Sequence, residues 1–211
     1  MEISGQLVLN FGESVAAIVK THFLNYFAIN LSSYKNLTES ELLDATCFFC
    51  DFIEYSFHTD SGMITELNSK FLEIFNSGDD IATTDVKQTL SYGLGVFSKY
   101  IPNANYSAVA PQVLLALNSM ISAADAFSED LVVSTESALG ALGKIIYNQR
   151  QASPQLINDQ VVAVFLDKLP LTNEEEEAQK THKFFFEQVI AGNPNIMSDA
   201  SKVQAALLRI K

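Results

Sequence analysis

Proline and glycine are scarce in this sequence, five and nine in 211 residues. A β-sandwich needs a turn about every ten residues, and so small a supply of turn formers excludes it; long helices joined by short loops fit instead. Cysteine is limited to Cys47 and Cys50. That rules out a secreted disulfide scaffold, and no charged-then-apolar leader with a small-residue cleavage site opens the chain, so an intracellular setting is expected. Basic residues number 13 against 25 acidic ones, giving a formal net charge of −12. A chain with that field repels phosphate backbones and anionic lipid heads, which argues against nucleic acid and membranes as partners and favours basic peptides or proteins. No apolar run reaches the roughly eighteen residues of a membrane span, because charges and amides interrupt every block.

What the sequence does have is apolar content, 48% hydrophobic with 10% aromatic residues, enough for a sizeable core. Its spacing is helical. Phe11, Val15, Ile18, Val19, Phe23, Tyr26 and Phe27 recur at three- and four-residue steps, which predicts a first helix over 11–30 with these side chains inward. Thr38 followed by Glu41 has the order of a capping box and predicts a second helix ending near His58. A third is expected over 62–75 with Ile64, Leu67, Phe71, Leu72 and Phe75 inward, stopped at Gly78 in a left-handed cap. Further helices are expected over 83–100, 106–124 with Pro111 in its first turns, and 128–148. Ser153-Pro154 fits the cap and first position of a seventh reaching Leu169. Asn173 caps an eighth, whose glutamates Glu174 to Glu177 suit the positive end of the helix dipole, and a ninth covers 196–210.

One stretch is written twice. "TDVKQTLSYGLGVFSKYI" from Thr84 and "EDLVVSTESALGALGKIIY" from Glu129 align at a spacing of 45, with Asp85 on Asp130, Leu94 on Leu139, Gly95 on Gly140 and Lys99 on Lys144. A helix-sized segment recurring at that period is the signature of tandem helical hairpins of HEAT/armadillo length. The expected fold is therefore all-α: an α-α superhelix, or right-handed solenoid, of about four and a half HEAT hairpins over 11–58, 62–100, 106–148 and 154–191, with a final helix. The whole chain 1–211 is expected to form one such segment, in which each unit buries its apolar face only against its neighbours. Glycines 93, 95, 140 and 143 each cost about 1 kcal/mol relative to alanine within a helix, so they call for close approach of a neighbouring helix. A phosphate-cradling loop does not account for them, since no strand precedes and the third glycine position holds Ser98.

The usual chemistry is missing. Cys47 and Cys50 have C-x-x-C spacing but lack a second cysteine pair, a histidine pair or a βαβ setting, so buried structural thiols are expected and no metal or cofactor is assigned. No G-x-S-x-G elbow appears, no catalytic residue is assigned, and the chain is read as a non-enzyme. Asn36-Leu37-Thr38 and Asn105-Tyr106-Ser107 match the glycosylation pattern but carry weight only in a secreted chain. Phe184, Phe185 and Phe186 span too much of a helix to be buried alike, so one ring is expected to face a neighbouring repeat or groove. Asp44, Asp51, Glu54 and His58 lie at steps of seven, three and four, sharing a polar stripe with a possible Glu54–His58 pair. A solvated outer face is sufficient to account for the stripe; second helices of stacked hairpins also line the concave wall, which makes Asp44, Asp51 and Glu54 candidate contacts for a basic peptide.

Cys50-Asp51-Phe52-Ile53-Glu54, Tyr92 to Val96, Ala141-Leu142-Gly143-Lys144-Ile145, Leu169-Pro170-Leu171 and Glu176-Glu177-Ala178 stand in an order and separation that resembles the C-terminal HEAT repeats of importin-β (karyopherin-β) nuclear transport receptors, nearest to the importin beta-3, or importin five, branch. The resemblance covers roughly 15–210. It implies the C-terminal segment of a longer receptor that shuttles between cytoplasm and nucleus through the nuclear pore. It also implies cargo proteins with basic import signals on the concave face, phenylalanine-glycine nucleoporins on the convex face, and the GTPase Ran bound mainly by repeats upstream. A HEAT scaffold outside nuclear transport is the alternative expectation.

Overall fold

The computed structural model describes residues 13–55 and 60–210, and all regular structure among them is helical. Helices α1 (Glu13–Val19) and α2 (Asn25–Ser32) are joined by a π-helical turn, Lys20–Leu24. There follow α3 (Glu39–Tyr55), α4 (Ser61–Phe75), α5 (Thr84–Phe97), α6 (Asn103–Ile121), α7 (Val132–Gln149), α8 (Asp159–Lys168), α9 (Glu175–Ile190) and α10 (Ala200–Arg209). The chain divides into two compact units, Met1–Pro102 and Asn103–Lys211, the boundary falling in the loop between α5 and α6. Among the described residues no helix is long and apolar enough to cross a membrane.

In the first unit α3 packs between α2 and α5, and α4 pairs with α5. The capping box forms as expected: Thr38 N–H donates to Glu41 Oε2 at 2.8 Å, and Glu41 N–H returns a bond to Thr38 Oγ1 at 3.3 Å. The core is aromatic. Phe27 stacks on Phe48 at 4.2 Å between ring centroids, Phe48 on Phe52 at 5.4 Å, and Phe71 meets Phe97 at 5.0 Å. Each such pair adds about 1 kcal/mol beyond the area it buries. Ile64, Leu67, Phe71, Leu72 and Phe75 are buried as their spacing predicts, and Gly78 adopts φ of 67° after the end of α4. The first helix departs from its expected face. Val19, Phe27 and Leu31 are buried, whereas Ile18 and Tyr26, expected inward, are 58% and 60% exposed. The wider π turn explains this, because with more residues per turn it brings Val19 and Phe27, eight residues apart, onto one face. Phe11, His58 and the side chains of Val15 and Phe23 lie outside the described residues.

In the second unit α6, α8 and α9 all pack on α7, and α10 packs on α8. α7 is therefore buried around most of its circumference, from Val132 to Ile146, with only Val133 and Lys144 partly open. α8 and α9 meet through Phe165 and Phe185. Arg209 donates to the carbonyls of Leu166 and Asp167 at 2.6 and 3.0 Å, satisfying acceptors that the end of α8 leaves open. Arg150 reaches from the end of α7 to the Asn195 carbonyl, Ser198 and Asp159.

Several boundaries differ from expectation. α6 begins at Asn103 rather than 106, which puts Pro111 in its third turn, on an exposed face. α7 begins at Val132, not 128. α8 begins at Asp159 under an Asn158 cap, because Ser153 is buried and its hydroxyl is taken by Ser107 at 2.7 Å. The cap of α9 is Glu174, whose carboxylate accepts from Glu177 N–H, while Asn173 is held elsewhere.

Candidate functional site

A stripe along α3 carries the candidate carboxylates. Its inward face, Leu42, Ala45, Phe48, Phe49, Phe52 and Ile53, is sealed against α2 and α5. Periodicity then leaves Ser40, Asp44, Cys47, Asp51 and Glu54, at steps of four and three, along the face that remains open. Asp44, Asp51 and Glu54 are each half-buried, and neither Asp44 nor Glu54 enters an ion pair among the described residues. Side-chain hydrogen bonds tie α3 to α5 and to the cap residue of α5. Glu54 Oε2 accepts from the Tyr92 hydroxyl at 2.5 Å, and near the start of α3 Glu39 accepts from the Thr83 hydroxyl at 2.6 Å. The expected Glu54–His58 pair falls on a residue outside the described ones.

The two thiols differ in setting. Cys50 is buried, as expected, but Cys47 is exposed on the open face. Its sulfur nevertheless rests 4.0 Å from Thr89 Oγ1. Loss of solvation pushes the Cys47 thiol up from its ordinary value; the Thr89 hydroxyl opposes this, and the charges of Asp51 and Asp44 push it further up. Burial is the larger cause; the smaller part, owed to Asp51 and Asp44, is a negative potential that also attracts a cation. Tyr92 is likewise held protonated, first by burial and then by the Glu54 charge.

α5 and α7 come close enough to their neighbours to require glycine. A β-carbon at Gly93 on α5 would run into the Phe71 ring and approach Cys50 Sγ to 2.9 Å, and one at Gly140 on α7 would enter the Glu177 carboxylate of α9. Both therefore serve packing, as does Gly143, where a β-carbon would meet the Phe165 ring at 2.8 Å.

The α7–α9 contact is polar, which the sequence did not announce. Glu136 is buried on α7 and its two oxygens accept from the backbone N–H groups of Thr172, Asn173 and Glu174 at 2.7, 2.9 and 2.8 Å, and from Asn173 Nδ2 at 3.0 Å. Two turns on, Lys144 pairs with Glu177 at 3.5 Å. Glu177 is buried, not solvated with the rest of its acidic run, and also accepts from the Thr181 hydroxyl at 3.1 Å. Burial raises its carboxyl above the usual range, with Lys144 and Thr181 pulling the other way. Of the three phenylalanines, Phe185 is buried while Phe184 and Phe186 are half-buried, Phe184 lying edge-on to Tyr147 at 5.3 Å. Among the described residues, no group of three or more His, Cys, Asp or Glu side chains is placed to hold a metal ion. No protein-family model matches the chain.

Proposed function

We propose that this chain is a helical-repeat segment that binds a basic segment of a partner protein through the α3 stripe, as part of an importin-β-type nuclear transport receptor. The observation that carries the reading is the stripe itself: Asp44, Asp51 and Glu54 share the open face of α3, and after burial it is the charges of Asp51 and Asp44 that push the Cys47 thiol up. Lysine or arginine side chains of a ligand gain from that potential without forcing the stripe to rearrange, since Tyr92 already fixes Glu54. The transport setting is supported by the ordered words quoted above and by the 45-residue repetition. Cargo import signals are the basic ligands it implies, with nucleoporins and Ran as the further partners of a complete receptor.

The test is fluorescence anisotropy of a labelled lysine-rich import-signal peptide titrated with the chain at low and near-physiological salt, beside an Asp51→Lys/Glu54→Lys variant. Saturable binding that weakens with salt and is lost in the variant is expected. Binding of equal strength to wild type and variant would remove the stripe from the interface, and no binding at either salt would leave recognition to other parts of a receptor.

A further inference from the structure

Four consecutive backbone N–H groups, Leu171 to Glu174, enter α9, and all four are claimed by two side chains. Glu136 takes the last three. Leu171 N–H donates to Nε2 of His182 at 3.0 Å. A ring nitrogen that accepts carries no proton, so this bond exists only with the imidazole neutral and its proton on Nδ1. His182 is half-buried one turn beyond Ala178, on the α9 face that looks toward the turn. We propose that His182 is a proton-operated latch on the 169–174 turn, closed when the ring is neutral and open when it is protonated.

Opening has two linked parts. Protonated Nε2 becomes a donor and faces another donor, so the Leu171 bond is lost. The imidazolium then meets Glu136, the charged group that bears on it among the described residues, and competes for a carboxylate already shared among three backbone amides and the Asn173 side chain. The other charges nearby are committed elsewhere. From α7, Lys144 pairs with Glu177. From the turn, Glu174 accepts from Glu177 N–H. At the end of α8, Lys168 lies over the Phe127 ring at 4.4 Å and Asp167 pairs with Lys202. On α9 itself, Lys183 is exposed and Lys180 pairs with Glu176. Burial holds the ring below the ordinary histidine value, Glu136 opposing, so the latch stays shut at neutral pH and opens on acidification.

Hydrogen exchange of the full chain between pH 7.5 and 5, corrected for the intrinsic pH dependence of exchange, reads the turn directly. Side-chain ¹⁵N shifts of His182 read the ring. The expected result is loss of Leu171 protection by roughly fivefold, the scale of one neutral hydrogen bond, in step with His182 protonation. In His182→Gln, whose amide oxygen accepts at every pH, that step should vanish. A wild-type turn whose protection does not change with pH, an equal loss in wild type and His182→Gln, or a proton found on Nε2 at pH 7.5 would each overturn the proposal.

Discussion

At Gly93 the backbone of α5 lies so close to Phe71 and Cys50 that a methyl group has to displace a buried ring. Overpacking of that kind costs about 1–3 kcal/mol, so Gly93→Ala should lower the urea midpoint, whereas alanine at an open helical position would raise stability. This role was legible beforehand, because glycine inside a helix needs a reason and close approach is the common one. Cys47 was less legible: its C-x-x-C spacing gives no exposure, and only the packed structure separates it from buried Cys50. It now serves as a voltmeter for the stripe. Neutralising both neighbours in Asp44→Asn/Asp51→Asn should lower the thiol's pKa, since both charges push it up. Iodoacetamide should then alkylate Cys47 faster at pH 8 than in wild type. An unchanged rate would mean that burial alone sets the thiol.

Whole elements were readable where their signals are local. Thr38 and Glu41 stand three residues apart and cap α3 as their order predicts. Ser153-Pro154 offers an equally good local pattern, but Ser107, 46 residues away, captures the hydroxyl and α8 starts later. The Glu136 cradle spans 36–38 residues and has no sequence pattern at all. The acidic run at the start of α9 likewise conceals that Glu177 turns inward against Gly140 and Lys144. Its raised carboxyl gives a signed prediction. A folded-state value above the unfolded one means the charged form costs stability as pH rises through that window, and the cost is absent below the ordinary glutamate value. Glu177→Gln keeps the Thr181 hydroxyl bond and removes the charge. It should therefore raise Tm relative to wild type at pH 7.5, with the difference shrinking toward pH 4. A lower Tm at pH 7.5 would show that the Lys144 pair outweighs the burial of the carboxylate.

For the molecule as a whole, a net charge of −12 draws any basic ligand, so weakened binding at high salt does not by itself locate a site. Kinetics separates the field from the contact. Diffusional encounter responds to charge anywhere on the surface, while residence time responds to the groups that touch the ligand. Glu175 and Glu176 are exposed in the second unit and lie outside the α3 stripe. Glu175→Lys/Glu176→Lys, which moves the net charge by four, should slow association of a lysine-rich peptide a few-fold at low salt and leave dissociation unchanged. Asp44→Asn/Asp51→Asn moves it by only two, yet should speed dissociation by roughly tenfold if each carboxylate holds a ligand cation. Stopped-flow fluorescence at two ionic strengths measures both constants. Should the stripe variant change association alone, the α3 carboxylates act as part of the general field, and the contact surface has to be sought on another face of the protein.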